Sequence, residues 1–69
     1  MKISARNKLP GTVLKITRGE ATANVTVDVS GMTMTAAITV DAVDDLGLRE
    51  GSQVTVVVKA SDVMLALDG

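Results

Sequence analysis

Four donor-rich residues stand near the two ends of this 69-residue chain: Ser4 and Arg6 in Ser4-Ala5-Arg6-Asn7, and Lys59 and Ser61 in Lys59-Ala60-Ser61. Arg6 offers a planar fork of N–H donors matched to two oxygens, Lys59 a compact ammonium, and the serines rotatable hydroxyls. Such a set suits a small anion that only accepts hydrogen bonds. The same cations have a plainer use, as surface ion-pair partners of Asp62, Asp28 or Glu20. Either way the charge is unevenly placed. Lys2, Arg6, Lys8, Lys15 and Arg18 all precede the first acid, Glu20, and only Arg49 and Lys59 follow it, although the net charge is −1.

Other chemistries find little support. The chain has no histidine and no cysteine, the usual general bases, nucleophiles and metal ligands, so no catalytic residue and no directly coordinated metal is expected. Asp44-Asp45 is the one adjacent pair of carboxylates, and placement at the positive end of a helix explains it more simply than a metal or an acid–base dyad does. Nucleic acid is disfavoured as well, because single-strand binding on a small β-barrel combines a positive groove with aromatic stacking platforms, and this chain has no aromatic residue.

The elements that must position these groups are legible as alternation. From Ala21 to Val29, Ala21, Ala23, Val25, Val27 and Val29 alternate with Thr22, Asn24, Thr26 and Asp28, the period-2 signature of a half-buried strand. Ser30-Gly31 joins it to Met32–Val40, where Met32, Met34, Ala36, Ile38 and Val40 form the apolar set, so the two runs are expected to form a hairpin. Thr12–Arg18 reads as an earlier strand opened by a type II turn at Pro10-Gly11, with Gly19-Glu20 turning the chain into the hairpin. Asp41–Leu46 reads as a short helix capped by Asp41 and stopped by Gly47. Ser52–Lys59, with Val54, Val56 and Val58 inward, and the two-faced apolar run Val63–Leu67 complete five strands. Lys2–Asn7 reads as extended, a candidate extra edge strand. Five short strands with a helical link between the third and fourth have the element order of an all-β, five-stranded OB-like Greek-key barrel.

A chain this short buries only about 60% of the surface it exposes when unfolded, and its apolar content is Val, Ala, Leu, Ile and Met, with thin coverage per side chain. Disulfides and a structural metal lack their ligands, so oligomerisation is the expected remedy. The final run, apolar on both faces, is the expected contact with another subunit. No window approaches the roughly 18 apolar residues of a membrane span, and the start lacks the apolar core of a signal peptide. A cytoplasmic protein with no membrane partner is expected.

The segments "ISARNKLPGTV", "RGE-T", "TAAIT", "LGL-EG" and "VKASDVMLA" together resemble the molbindin or Mop family of molybdate-binding proteins, the minimal form of the TOBE domain. The resemblance runs over essentially the whole chain, making residues 1–69 a single Mop/TOBE domain, and its "SARN" and "KAS" segments are its most specific part. It implies an OB-like fold, a homohexamer built as a trimer of dimers, and molybdate or tungstate bound at subunit interfaces with no redox cofactor. Carried over by residue, it places Ser4, Arg6, Lys59, Ala60 and Ser61 around the oxyanion, with Thr39 and Ala42 supplied by a neighbouring subunit, Ala42 and Ala60 acting through backbone N–H groups. A second class of site near the three-fold axis is assigned to the backbone N–H groups of Gly19, Glu20, Ala21 and Thr22. The role implied is non-catalytic storage or homeostasis of the anion. The alternatives are a molybdate-sensing regulatory module and a carrier of a molybdenum-pterin cofactor, the latter opposed by the absence of aromatics to stack on a pterin.

Overall fold

The computed structural model describes residues 1–69. The elements run β1 (Asn7–Arg18), β2 (Thr22–Val29), β3 (Met32–Thr39), α1 (Val40–Leu46), β4 (Gln53–Val58) and a single 3-10 turn, Ala60–Asp62. The strands form one antiparallel sheet in the order β3-β2-β1-β4. β2 and β3 are the expected hairpin, with Val29 opposite Met32 across the Ser30-Gly31 turn. No helix is long and apolar enough to cross a membrane.

Alternation places the core where the pattern puts it. Ala23, Val25, Val27 and Val29 are buried on β2, and Val13 of β1 and Val43 of α1 close over them. Fully burying such a side chain stabilises the fold by roughly 1.5–3 kcal/mol. Val54, Val56 and Val58 of β4 are half-buried, as are Met34, Ala36 and Ile38 of β3. Along β1 the inward set changes parity: Leu9, Gly11 and Val13 face in before residue 14, and Ile16 after it. The cause is a bulge between Val13 and Lys15, where the register with β2 shifts and Leu14 is left over. A bulge bends its strand, and bent β1 pairs with β4 through Asn7–Thr12 and with β2 through Thr12–Arg18. It is the hub of the sheet.

Several sequence expectations are corrected here. Pro10 and Gly11 form no turn; both lie within β1. Gly11 is needed for close approach, since a Cβ there would stand 2.6 Å from Val27 Cγ1 and 2.9 Å from the Asp28 carbonyl oxygen. Pro10 precedes the pairing with β2, so β1 has a neighbour on one side only at that point, a position that tolerates a missing donor. Lys2–Arg6 add no edge strand, and β2 starts at Thr22, because the turn closed by Gly19 N–H donating to the Thr22 carbonyl (2.8 Å) takes up Ala21.

The helix cap is Thr39, not Asp41. Thr39 keeps extended backbone and its Oγ1 accepts the N–H of Ala42 at 3.0 Å, so the helix begins at Val40 and Asp41 falls inside its first turn. Gly47 ends the helix in the left-handed conformation (φ 63°), donating to Asp44, with the N–H of Leu48 donating to the Val43 carbonyl, a Schellman-type stop.

The fifth strand is the largest departure. Val63–Leu67 forms no strand, and Met64, Leu65 and Leu67 are 91%, 95% and 97% exposed. The sheet is therefore open, with β3 and β4 as free edges. Facing that opening is an apolar cavity of about 240 Å³, lined by residues that include Val13, Val25, Ile38, Leu48, Val54 and Val56. A strand forms only against a partner edge, and the chain's own path after the 3-10 turn brings its last run to neither.

Candidate functional site

The β1–β4 ladder ends at the pair Asn7–Val58. Arg6 and Lys59 directly adjoin these paired ends, just outside the two strands, so the ladder brings the "SARN" and "KAS" segments together from opposite ends of the sequence. Beyond Lys59 the chain closes a tight turn in which the N–H of Asp62 donates to the Lys59 carbonyl at 2.9 Å, and that of Val63 to the Ala60 carbonyl at 3.3 Å. The first N–H groups of such a turn have no partner within it; here these belong to Ala60 and Ser61.

On the other side of the cluster, Ala5 is 3% exposed while Ser4 and Arg6 on either side are open to solvent. The backbone bends at both Ser4 and Arg6, and the methyl of Ala5 is buried between them, so both neighbours are left in solvent. Asn7 fastens the junction: its Nδ2 donates to the Val58 carbonyl at 3.1 Å from a partly buried position. Residue chemistry alone does not single out Ala5 and Asn7, although both stand within "SARN"; the alternation of Ala5 with its polar neighbours is the signal that points to the first.

Neither Arg6 nor Lys59 has a carboxylate partner. The chain's single ion pair joins Arg18 to Asp44 at 2.8 Å, so the surface pairing with Asp62, Asp28 or Glu20 is not formed. What gathers at this end of the sheet is two cations, two hydroxyls and the N–H groups of a turn, with Asp62 the one nearby acid in sequence. The chemistry open to such a set is capture of a small oxyanion.

Thr39 and Ala42 lie elsewhere. Thr22 pairs with Thr39 and Arg18 with Ala23, which puts the helix start at the far end of β1 from Asn7. Eleven residue steps along a strand are at most roughly 36 Å, in a molecule 39 Å long. One chain therefore does not unite the two halves of the expected site. The cap also commits the N–H of Ala42 to Thr39 Oγ1 and leaves the Thr39 hydroxyl its own hydrogen to donate.

The Gly19–Thr22 turn sits beside this helix start, the N–H of Val40 donating to the Ala21 carbonyl at 2.9 Å. Within the turn the N–H of Gly19 is spent on Thr22, and Glu20 and Ala21 are exposed. The cavity is separate from both clusters and, with ten of its eleven lining residues hydrophobic, offers an anion nothing.

A four-stranded, mostly-β module with one short helix and a cluster of donors, its cations unpaired, at the end of the β1–β4 ladder is the class these features define. The TOBE domain family matches residues 3–65, and the chain belongs to it. Molybdenum-pterin-binding protein 2 of Clostridium pasteurianum is 44% identical over 66 residues, 94% of this chain and 97% of that protein. Among solved structures, a molybdate-binding protein from Sporomusa ovata superposes with a TM-score of 0.94 at 45% identity, over 97% of this chain and all of that one. ModG, a cytoplasmic molybdate-binding protein solved with molybdate bound, superposes with a TM-score of 0.88 at 42% identity, over 93% of this chain and 46% of ModG.

Proposed function

We propose that this chain, acting as a single TOBE module over residues 1–69, binds molybdate or tungstate in the cytoplasm and stores or buffers it without chemical turnover or a redox cofactor. The observation that carries this reading is the juxtaposition of Arg6 and Lys59, unpaired with any carboxylate, in a chain whose near-full-length relatives are named for molybdenum or molybdate. Ser4, Arg6, Lys59 and Ser61 donate from side chains, and Ala60 and Ser61 from backbone N–H groups. The metal keeps its four oxygens and meets no protein ligand directly.

A deprotonated tetrahedral dianion only accepts hydrogen bonds, so a shell of donors satisfies every oxygen. Phosphate at neutral pH carries a hydrogen that such a shell leaves unmatched, at a cost of about 1–3 kcal/mol for a buried unpaired group. Sulfate carries none and is discriminated by the size of a rigid cavity.

The site is completed by a second copy of the chain. Thr39, through its hydroxyl, and Ala42, by sharing its capped N–H, come from the neighbour, since within one chain they lie at the other end of β1. The same neighbour supplies the fifth strand. The exposed run Val63–Leu67 matches in character the apolar opening between β3 and β4, and pairing there would turn an open sheet into a five-stranded OB-like barrel. Repetition of this contact and a second one builds the homohexamer, a trimer of dimers. At its three-fold contacts the N–H groups of Glu20 and Ala21, with Gly19 and Thr22 shaping the turn, hold a further oxyanion, the Glu20 side chain pointing outward.

Equilibrium dialysis of the purified protein against molybdate, tungstate, sulfate and phosphate tests the reading: retention of the first two and rejection of phosphate is expected, and no retention of molybdate overturns it. The relatives' names favour a second reading, a molybdenum-pterin carrier. Pterin fluorescence in freshly purified protein would establish it in place of the free anion.

A further inference from the structure

Asn7 stands at the joint between the two donor segments, and its side chain does something the rest of the ladder does not. The Nδ2 donor holds the carbonyl of Val58 at 3.1 Å. That carbonyl shares its peptide plane with the backbone nitrogen of Lys59, because the unit Val58 C=O–Lys59 N–H is rigid and planar. On its own strand Asn7 directly follows Arg6. One amide thus ties the plane that launches Lys59 to the residue that follows Arg6, at the last pair of a ladder whose end would otherwise fray. Downstream, the Asp62 N–H to Lys59 carbonyl bond passes the constraint on to Ser61.

We infer that Asn7 is the positioning residue of the oxyanion cluster, fixing the Arg6 fork relative to the Lys59-Ala60-Ser61 turn. This rests on the oxyanion reading given above. Donors that must meet four oxygens of one small guest have to be held to within about 0.5 Å, and two segments from opposite ends of the sequence reach that tolerance only if something locks them. The backbone pairing of β1 with β4 ends at Asn7, and Gln53 Nε2 to Thr12 Oγ1, the other side-chain bond between these strands, lies at the far end of their ladder. At the cluster the one side-chain hydrogen bond between the two segments is that of Asn7. Its second Nδ2 hydrogen remains unspent in the chain.

The test compares the assembled wild-type protein with Asn7→Ala, which deletes the bond, and Asn7→Asp, which keeps the shape but sets an acceptor against the Val58 carbonyl. Amide hydrogen exchange is followed without added anion, and sodium molybdate and sodium sulfate are titrated calorimetrically. In Asn7→Ala the amides of Lys59–Asp62 and of Ala5–Arg6 should exchange about tenfold faster while those of Val25 and Val27 stay unchanged. Molybdate affinity should fall about tenfold, and the preference for molybdate over sulfate should narrow, with Asn7→Asp at least as impaired. Unchanged exchange at Lys59–Asp62, or faster exchange spread evenly through β2 and β3, overturns the inference, the second because it would make Asn7 a general stabiliser. Unchanged affinity and selectivity in a variant whose local exchange has risen also overturns it. A wild type that takes up no molybdate refutes the oxyanion reading instead, and the exchange arm still decides whether Asn7 locks the two segments.

Discussion

Arg18 and Asp44 face each other across the gap between β1 and α1 at 2.8 Å, with their side chains 49% and 60% exposed. This is the chain's one ion pair, and it involves neither of the cations at the Asn7–Val58 end. Arg18→Ala should therefore behave as loss of an exposed pair, destabilising by about 1 kcal/mol or less, and leave molybdate uptake unaltered. Thermal melting and dialysis on the same variant check both halves of that expectation.

The helix start carries a second prediction. Thr39 accepts the N–H of Ala42 at 3.0 Å, and removing such a cap costs about 1 kcal/mol. Thr39→Ala should lower stability by that amount, and Thr39→Ser, which keeps the hydroxyl, should restore most of it. If Thr39 also donates to an anion held by a neighbour, Thr39→Ala weakens molybdate binding while Thr39→Ser does not; urea melts and calorimetry separate the two effects.

Gly11 makes a sharper demand. A methyl there would press on Val27 Cγ1 at 2.6 Å and on the Asp28 carbonyl at 2.9 Å, and the second of these is backbone that cannot rotate aside. Gly11→Ala is expected to destabilise by about 3 kcal/mol, the upper end of the usual overpacking range. A melting temperature within a few degrees of the wild type would show that β1 and β2 have slack that this packing does not suggest.

Assembly gives the fourth prediction. With Leu65 and Leu67 almost wholly exposed in a single chain, a double Leu65→Asp, Leu67→Asp substitution should leave β1–β4 folded but yield a smaller species. Light scattering after gel filtration reads the mass and circular dichroism the β content. Because an interface site binds only the assembled state, molybdate at a hundredfold excess over its Kd should raise wild-type stability by about 2.7 kcal/mol per site and do little for the double variant.

The parts of this fold that were legible in the sequence are those set by local alternation. The inward sets of β2 and β4 follow from side chains of period 2, and the Ser30-Gly31 turn follows from composition. Pro10-Gly11 misled because a glycine required by close approach looks, in sequence, the same as one required by a turn. Asp41 misled because Thr39, two residues earlier and itself a capping residue, accepts the N–H of Ala42 and starts the helix before Asp41 is reached. Val63–Leu67 was readable as apolar on both faces but not as a run without an edge to pair with, because the sequence does not say which chain offers that edge. For the cluster, residue types were legible, and so was the convergence of the two segments as a possibility. The register that brings Arg6 beside Lys59, and the Asn7 amide that fastens them, depend on pairing across 51 positions, which no local pattern encodes.

The central claim is that the guanidinium of Arg6, beside Lys59, holds a tetrahedral oxyanion, and titration of molybdate into wild-type protein and into Arg6→Ala by calorimetry tests it most directly. The variant should melt like the wild type and lose about 2–5 kcal/mol of binding free energy, as expected when one partner of a desolvated charge contact is stripped away. Equal affinity in the two proteins would contradict the account and make Arg6 an ordinary surface cation.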